Sequence, residues 1–319
     1  MISKRIGLSV TVLIVSLYLC YYYWNLMEEW KMEQLEAERL ALVKAKFNEK
    51  LVRHMTDDMF VPPFVSFVSP YAIAPVHNLS ICCISKSMST MMRGMACALY
   101  DTEEFISNNR SILESYGGRF CQGKNEFSRM NGVELEMRTE NFTKIAVVRD
   151  PVDRFISFFS DKCVYGEGWR PADRCYNCQN NATCFLEKQY HRFLEFSHKK
   201  NSTLKPSLED YHTAPFSWNC EFGKYLKEYK IVKMHSKYRE KGVKELMGIL
   251  KASRVPESTI KYLEASAIRG DTVHVTYDSE AHTKLRKEIE GSRKMRDLLR
   301  KMYYLDYLIF GFDTSFIDS

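Results

Sequence analysis

The segment Ser85-Lys86-Ser87-Met88-Ser89-Thr90 gathers one lysine and several hydroxyls into a single polar turn. An ammonium surrounded by hydroxyl and backbone donors suits a phosphate, above all where a strand gives way to a helix whose N-terminus points free N–H groups at the anion. The flanks predict such a passage. Ile81 to Ile84 is an apolar run of strand length, and Thr90 to Tyr100 is rich in Met and Ala and suits a helix, with Arg93 one turn in. Serine stands at positions 80 and 85, where the GxxxxGK[ST] loop of ATPases and GTPases needs glycine, so that reading is weak. Alone, the segment also fits a surface lysine in an ordinary turn.

A second motif weighs against the ordinary turn. In Lys144 to Cys163, KIAVVRDPVDRFISFFSDKC, the run Ile145 to Val148 reads as a buried strand with Arg149 at its C-terminal end. Pro151 opens a helix at its first turn, and Phe155, Phe158 and Phe159 form its apolar face. An arginine at a strand end and Ser157 two turns into the next helix, with Arg154 between them, can converge on a phosphate at the carboxyl edge of a sheet. Two phosphate-type sites on one sheet imply a nucleotide phosphorylated at both ends.

This pair of motifs resembles the nucleotide-binding signatures of sulfotransferases that use 3′-phosphoadenosine 5′-phosphosulfate (PAPS). Arg149, Asp150, Pro151, Arg154 and Ser157 match RDPxxRxxS, and Lys86, Ser89 and Thr90 match K-x-x-[CST]-T, with Met88 where many relatives have glycine. Within that superfamily the chain is similar to the membrane-bound carbohydrate sulfotransferases of the chondroitin 4-sulfotransferase and HNK-1 sulfotransferase type. Ser160-Asp161-Lys162-Cys163, His212 eight residues before Cys220, and the tail Tyr303 to Phe310 carry this likeness in patches from about residue 78 to 312. The resemblance implies that Lys86, Ser87, Ser89 and Thr90 hold the 5′-phosphosulfate, that Arg149, Arg154 and Ser157 hold the 3′-phosphate, and that PAPS is the co-substrate without a metal. Lys86 would also serve catalysis by neutralising the leaving phosphate oxygen.

The reaction also needs a base for the acceptor hydroxyl. No histidine occurs from Lys86 through Lys188, leaving His212 in EDYHTAPFSWNC and the carboxylates Glu103, Glu104 and Glu114. The family-like spacing to Cys220 favours His212, with Asp210 as a candidate orienting group; the alternative is a polar residue that fixes a loop or binds the acceptor sugar. Lys224 to Lys301 carries 20 Lys and Arg against 11 Asp and Glu. That surplus fits either a polyanionic glycan surface or solvated helix faces, including the amphipathic run Glu280 to Leu305.

The elements that must position these residues begin at a membrane. Ile6 to Met27 holds no charge, enough for a transmembrane helix, with Lys4 and Arg5 before it and Glu28 and Glu29 after it. The run exceeds a signal-peptide core and lacks a small-residue cleavage site. The expected order is a cytoplasmic tail (1–5), a signal anchor in the bilayer (6–27), a stem helix (28–60) able to pair into a homodimer or to pack on the body, and a luminal domain (61–319). Sequons at Asn78, Asn109, Asn141, Asn181 and Asn201 agree with a lumen, those at Asn78 and Asn141 lying just before predicted strands. Cys163, Cys175, Cys178, Cys184 and Cys220 form a cluster that reads as disulfides, with zinc at Cys175-x-x-Cys178 as the alternative. Nine cysteines beyond the anchor leave an odd thiol, expected at Cys82 or Cys83.

The fold expected is α/β and three-layered, with a central parallel sheet of P-loop-NTPase-like topology. With 319 residues, 45% of them hydrophobic, and a formal net charge of +6, the chain excludes disorder and supplies enough apolar surface for a sizeable core. The function expected is transfer of a sulfuryl group to a carbohydrate hydroxyl at a Golgi membrane, with chondroitin and its 4-O position suggested by the resemblance and no nucleic acid as partner. The rivals are a non-catalytic glycan-binding ectodomain and a glycosyltransferase; no Asp-x-Asp metal motif occurs to favour the latter.

Overall fold

The computed structural model describes residues 16, 18–24, 26–27, 30, 59–114, 118–139, 141–165, 174–198, 204–235, 238–269 and 279–318. It divides into two units, residues 1–53 and 54–319. The described residues of the first unit are helical. The expected anchor and stem lie largely outside the described residues, among which no helix is long and apolar enough to cross a membrane.

The second unit is built on five strands: β1 (Tyr71–Ala74), β2 (Leu79–Cys82), β3 (Glu126–Phe127), β4 (Thr143–Val148) and β5 (Tyr229–Lys233), in the order β3-β1-β2-β4-β5. β2, β4 and β5 run parallel, Ile81 opposite Ile145 and Val147 opposite Val232. β1 is antiparallel to both β2 and β3, so the sheet is mixed and the expectation of a parallel sheet holds only for β2, β4 and β5. The reason is local: Pro75 to His77 forms one tight turn and Asn78 takes a left-handed conformation, which returns the chain directly beside β1. No crossover helix separates the two strands.

The helices are α1 (Ser89–Tyr100), α2 (Thr102–Ser107), α3 (Met130–Met137), α4 (Pro151–Phe159), α5 (Ala182–His198), α6 (Leu208–Thr213), α7 (Phe222–Tyr225), α8 (Arg239–Ala252), α9 (Glu257–Arg269), α10 (Glu280–Gly291), α11 (Arg293–Phe310) and α12 (Ser315–Asp318). The run from Glu280 is thus two helices, because Ser292 caps the second by accepting from Met295 N. One core joins Ile81, Ile145 and Val147 to α1, α8 and α9 through Met91, Met95, Leu246 and Leu263. A second joins α4, α5 and α11 through Phe155, Phe158, Phe185, Trp218 and Tyr303. β2 and β4 are buried along nearly their whole length, which is why they read as continuous apolar runs.

Four disulfides occur among the described residues: Cys82–Cys220, Cys97–Cys121, Cys163–Cys175 and Cys178–Cys184. Cys175 and Cys178 therefore belong to different bridges, which removes the zinc alternative for that pair. Cys83 is the free buried thiol, and Cys220 leaves the sequence cluster to join the end of β2. The Cys82–Cys220 bridge spans 138 residues. Closing so long a loop removes chain entropy worth about 5 kcal/mol from the unfolded state. The double variant Cys82→Ser, Cys220→Ser should lose stability of that order, read as a lower urea midpoint at unchanged slope.

Candidate active site

The carboxyl ends of β2 and β4 lie side by side, so the two motifs leave the sheet at one edge. After β2, Ser87 N donates to Ile84 O at 3.1 Å and turns the chain. Lys86 (φ 62°) and Met88 (φ 58°) take left-handed conformations, which cost a residue with a Cβ about 1–2 kcal/mol. The loop thus keeps the conformation a glycine would adopt at position 88, while the Met88 side chain packs against the core that holds Met91 and Met92. α1 then starts at Ser89 with no side chain capping it. Its first-turn N–H groups, with Ser89 and Thr90 in that turn and the buried, unbonded Ser87 hydroxyl beside it, fit an anionic phosphosulfate.

Lys86 Nζ donates to Asp161 Oδ2 at 2.7 Å, and Lys162 Nζ lies 3.1 Å from the same oxygen. Burial pulls the Lys86 ammonium down to about 8, against the opposing pull of Asp161 and with help from Lys162 and Arg149. The second motif grips the loop's backbone. Arg149 Nη1 donates to Lys86 O at 3.2 Å, and Arg154 Nε donates to Ser85 O at 2.9 Å. Arg154 is 2% exposed; its Nη1 donates to Ala214 O at 2.5 Å and its guanidinium lies over Phe216 at 4.6 Å. This arginine, assigned by its motif to the 3′-phosphate, ties the donor loop to the segment after His212, with Nη2 buried and unbonded. Ser157 is buried on α4. Asp150 caps α4 by accepting from Asp153 N at 2.9 Å and accepts the Tyr307 hydroxyl at 2.9 Å on its other oxygen.

His212 is tied toward this loop by Arg154, which bonds both Ser85 O in the loop and Ala214 O two residues after the histidine, and the charges of Lys86, Lys162 and Arg154 act on the ring. Its Nδ1 lies 2.7 Å from Leu208 O. A carbonyl can only accept, so Nδ1 carries the proton and Nε2 keeps its lone pair. Burial holds the ring down at about 4, the Leu208 carbonyl opposing and the three cations adding to the effect. The ring packs on Phe158 at 5.7 Å between centroids. Asp210 does not orient the histidine: it is buried, completes the cap of α6 with Ser207, and accepts from Gln189 Nε2 and Arg192 Nε, each at 2.9 Å. Of the other carboxylates, Glu104 pairs with Lys124 and Glu114 with Arg110, while Glu103 is exposed on α2. From the basic stretch 224–301, Arg286 reaches the second motif, where it pairs with Asp153 and acts on Asp150, while Lys251 pairs with Glu257.

Sequence reading missed the support. On one face of α11, Tyr303 donates to Thr213 O at 2.7 Å, Asp306 accepts from Phe216 N and, at 3.0 Å, from Ser217 N, and Tyr307 reaches Asp150. Burial raises the Asp306 carboxyl to about 6 despite these bonds. The signals available were the family-like tail Tyr303 to Phe310 and, within it, three polar side chains at positions i, i+3 and i+4, which share one helix face. Among the described residues no group of three or more His, Cys, Asp or Glu gathers to hold a metal.

The pH dependence follows from Lys86. Its cation is present below about pH 8 and is lost as pH rises through that value. Binding of 3′-phosphoadenosine 5′-phosphate, followed by calorimetry, should therefore weaken from about pH 8 upward, well before an ordinary lysine would lose its charge.

The family model described as "Sulfotransferase family" matches residues 69–313. The carbohydrate sulfotransferase chst-1 of Caenorhabditis elegans is 56% identical over 265 residues, covering 81% of this chain and 80% of the relative. A second protein of that organism, the uncharacterized protein C18B2.2, is 26% identical over 290 residues, covering 88% and 80%. No solved structure matches the chain. The match runs from just before β1 to beyond α11, so it takes in the donor loop, His212 and the helix beneath them, and the chain belongs to the sulfotransferase family.

Proposed function

We propose that the protein transfers a sulfuryl group from PAPS to a hydroxyl of a carbohydrate acceptor. The observation that carries this reading is the approach of a neutral histidine with a free Nε2 to a lysine-bearing loop that opens onto an uncapped helix N-terminus. The carbohydrate part rests on the name of the chst-1 relative.

PAPS, when bound, supplies a sulfuryl group activated by its phosphate leaving oxygen. Lys86, Ser87, Ser89, Thr90 and the first N–H groups of α1 would hold the 5′ side and neutralise charge there. Arg149 and Ser157 would hold the 3′-phosphate, with Arg154 keeping the donor loop and the His212 segment in register. His212 Nε2 would take the proton of the acceptor hydroxyl, and its low basicity keeps the ring neutral across the physiological range.

A type II Golgi membrane protein with a luminal catalytic domain fits the uncharged run of residues 6–27 and the four disulfides of the body. The strand-loop-helix after β2 supports a P-loop-NTPase-like arrangement within the mixed sheet. Chondroitin and its 4-O position remain part of the proposal through family resemblance, as does pairing of two chains through the stem.

The test uses the detergent-solubilised full chain with ³⁵S-labelled PAPS and a panel of desulfated chondroitin, dermatan, heparan and N-glycan acceptors. Label in one polymer establishes the reaction and names its acceptor. Absence of both label and donor binding would overturn the proposal.

A further inference from the structure

The chain beyond α4 does not continue as an ordinary helix. Ser160–Val164 forms a wider π turn, the kind of local insertion that re-aims side chains and recurs at functional sites. Ser160 and Cys163 are buried in this turn, while Asp161 and Lys162 stay partly exposed. The Cys163–Cys175 bridge fastens it from behind. The result is a carboxylate carried to the tip of Lys86, 75 residues earlier in the chain, at 2.7 Å. Both side chains are largely sheltered, 8% and 14% exposed, so the pair is screened much less than a surface ion pair.

We propose that Asp161 is a positioning residue for Lys86: it fixes the ammonium at the mouth of the donor loop and keeps it charged there until an anion takes over as its partner. Desolvation and the neighbouring cations favour a neutral amine at this place. The charged groups that act on Lys86 are Lys162 and Asp161 from the π turn and Arg149 from the end of β4, while His212 on α6 and Arg154 on α4 lie close by. Asp161 supplies the opposing pull toward the cation, and Lys162 acts against it. The two neighbours in the π turn therefore set the charge of Lys86 in opposite directions. This inference rests on the reading of Lys86 as a donor contact.

The test measures the titration of Lys86 itself by competitive acylation of its amine across pH 6–11, quantified by mass spectrometry on the full chain without donor. In Asp161→Asn the half-point of labelling should fall by about 1–3 pH units, the range an opposite charge at contact distance commands. Asp161→Glu should restore most of it, and Lys162→Ala should move it upward. If Asp161→Asn does not fold, as judged by its melting curve, Asp161→Ser takes its place. An unmoved Lys86 half-point in the folded variants overturns the positioning role. Protection of wild-type Lys86 by 3′-phosphoadenosine 5′-phosphate is measured in the same experiment, and its absence would instead sink the donor-site reading.

Discussion

His212→Ala should lower the turnover of sulfuryl transfer by about 10²- to 10⁴-fold, the usual worth of a positioned general base, while affinity for 3′-phosphoadenosine 5′-phosphate stays within a few-fold of wild type. The separation follows from the geometry. The imidazole is held by the Leu208 carbonyl and the Phe158 ring, and neither belongs to the donor loop. Its removal leaves the bonds from Arg154 to Ser85 and Ala214 in place. His212→Asn keeps a polar side chain of similar reach without a basic nitrogen, so it should be as slow as the alanine variant. Transfer at near wild-type rates in either variant would remove His212 from the chemistry. Because the ring stays neutral down to about pH 4, the acid limb of kcat/KM should not fall near the ordinary histidine value of about 6.5.

Lys86→Ala should cost transfer about 10²- to 10³-fold, comparable to the loss of one preorganised donor at a developing anion, and should weaken donor binding as well. It also takes one cationic partner from the Asp161 carboxylate, Lys162 staying beside it at 3.1 Å. Lys86→Arg keeps the charge but changes its shape and reach, so it should recover binding better than turnover. A Lys86→Ala enzyme that retains wild-type turnover would place the leaving-group contact elsewhere on the loop.

The donor half of the site was legible in the sequence because its parts are local. Lys86, Ser89 and Thr90 lie within five positions, Arg149 and Ser157 share one strand-helix unit, and each unit announces itself by an apolar run followed by a turn. The parallel strands β2 and β4 read correctly for the same reason, although each starts two residues earlier than expected and β2 also ends two earlier. The hidden parts depend on distant partners. Asp161 meets Lys86 across 75 positions, and Tyr307 meets Asp150 across 157. No spacing rule reaches that far. β1 was masked by prolines on either side and pairs antiparallel through a turn too short for the parallel pattern. Cys220 was grouped with the cysteines nearest in sequence, yet the fold carries it to Cys82.

The single face of α11 that holds Thr213, the turn at Phe216 and Asp150 has a bearing on how variants of this chain are read. Three segments far apart in the sequence share one foundation, and none of its side chains needs to meet donor or acceptor. A change at Tyr303, Asp306 or Tyr307 would disturb the base and the donor motif together, and so imitate an active-site lesion in a genetic screen. Sorting such alleles by their distance from Lys86 along the sequence would misfile them; sorting by which segment loses its footing would not.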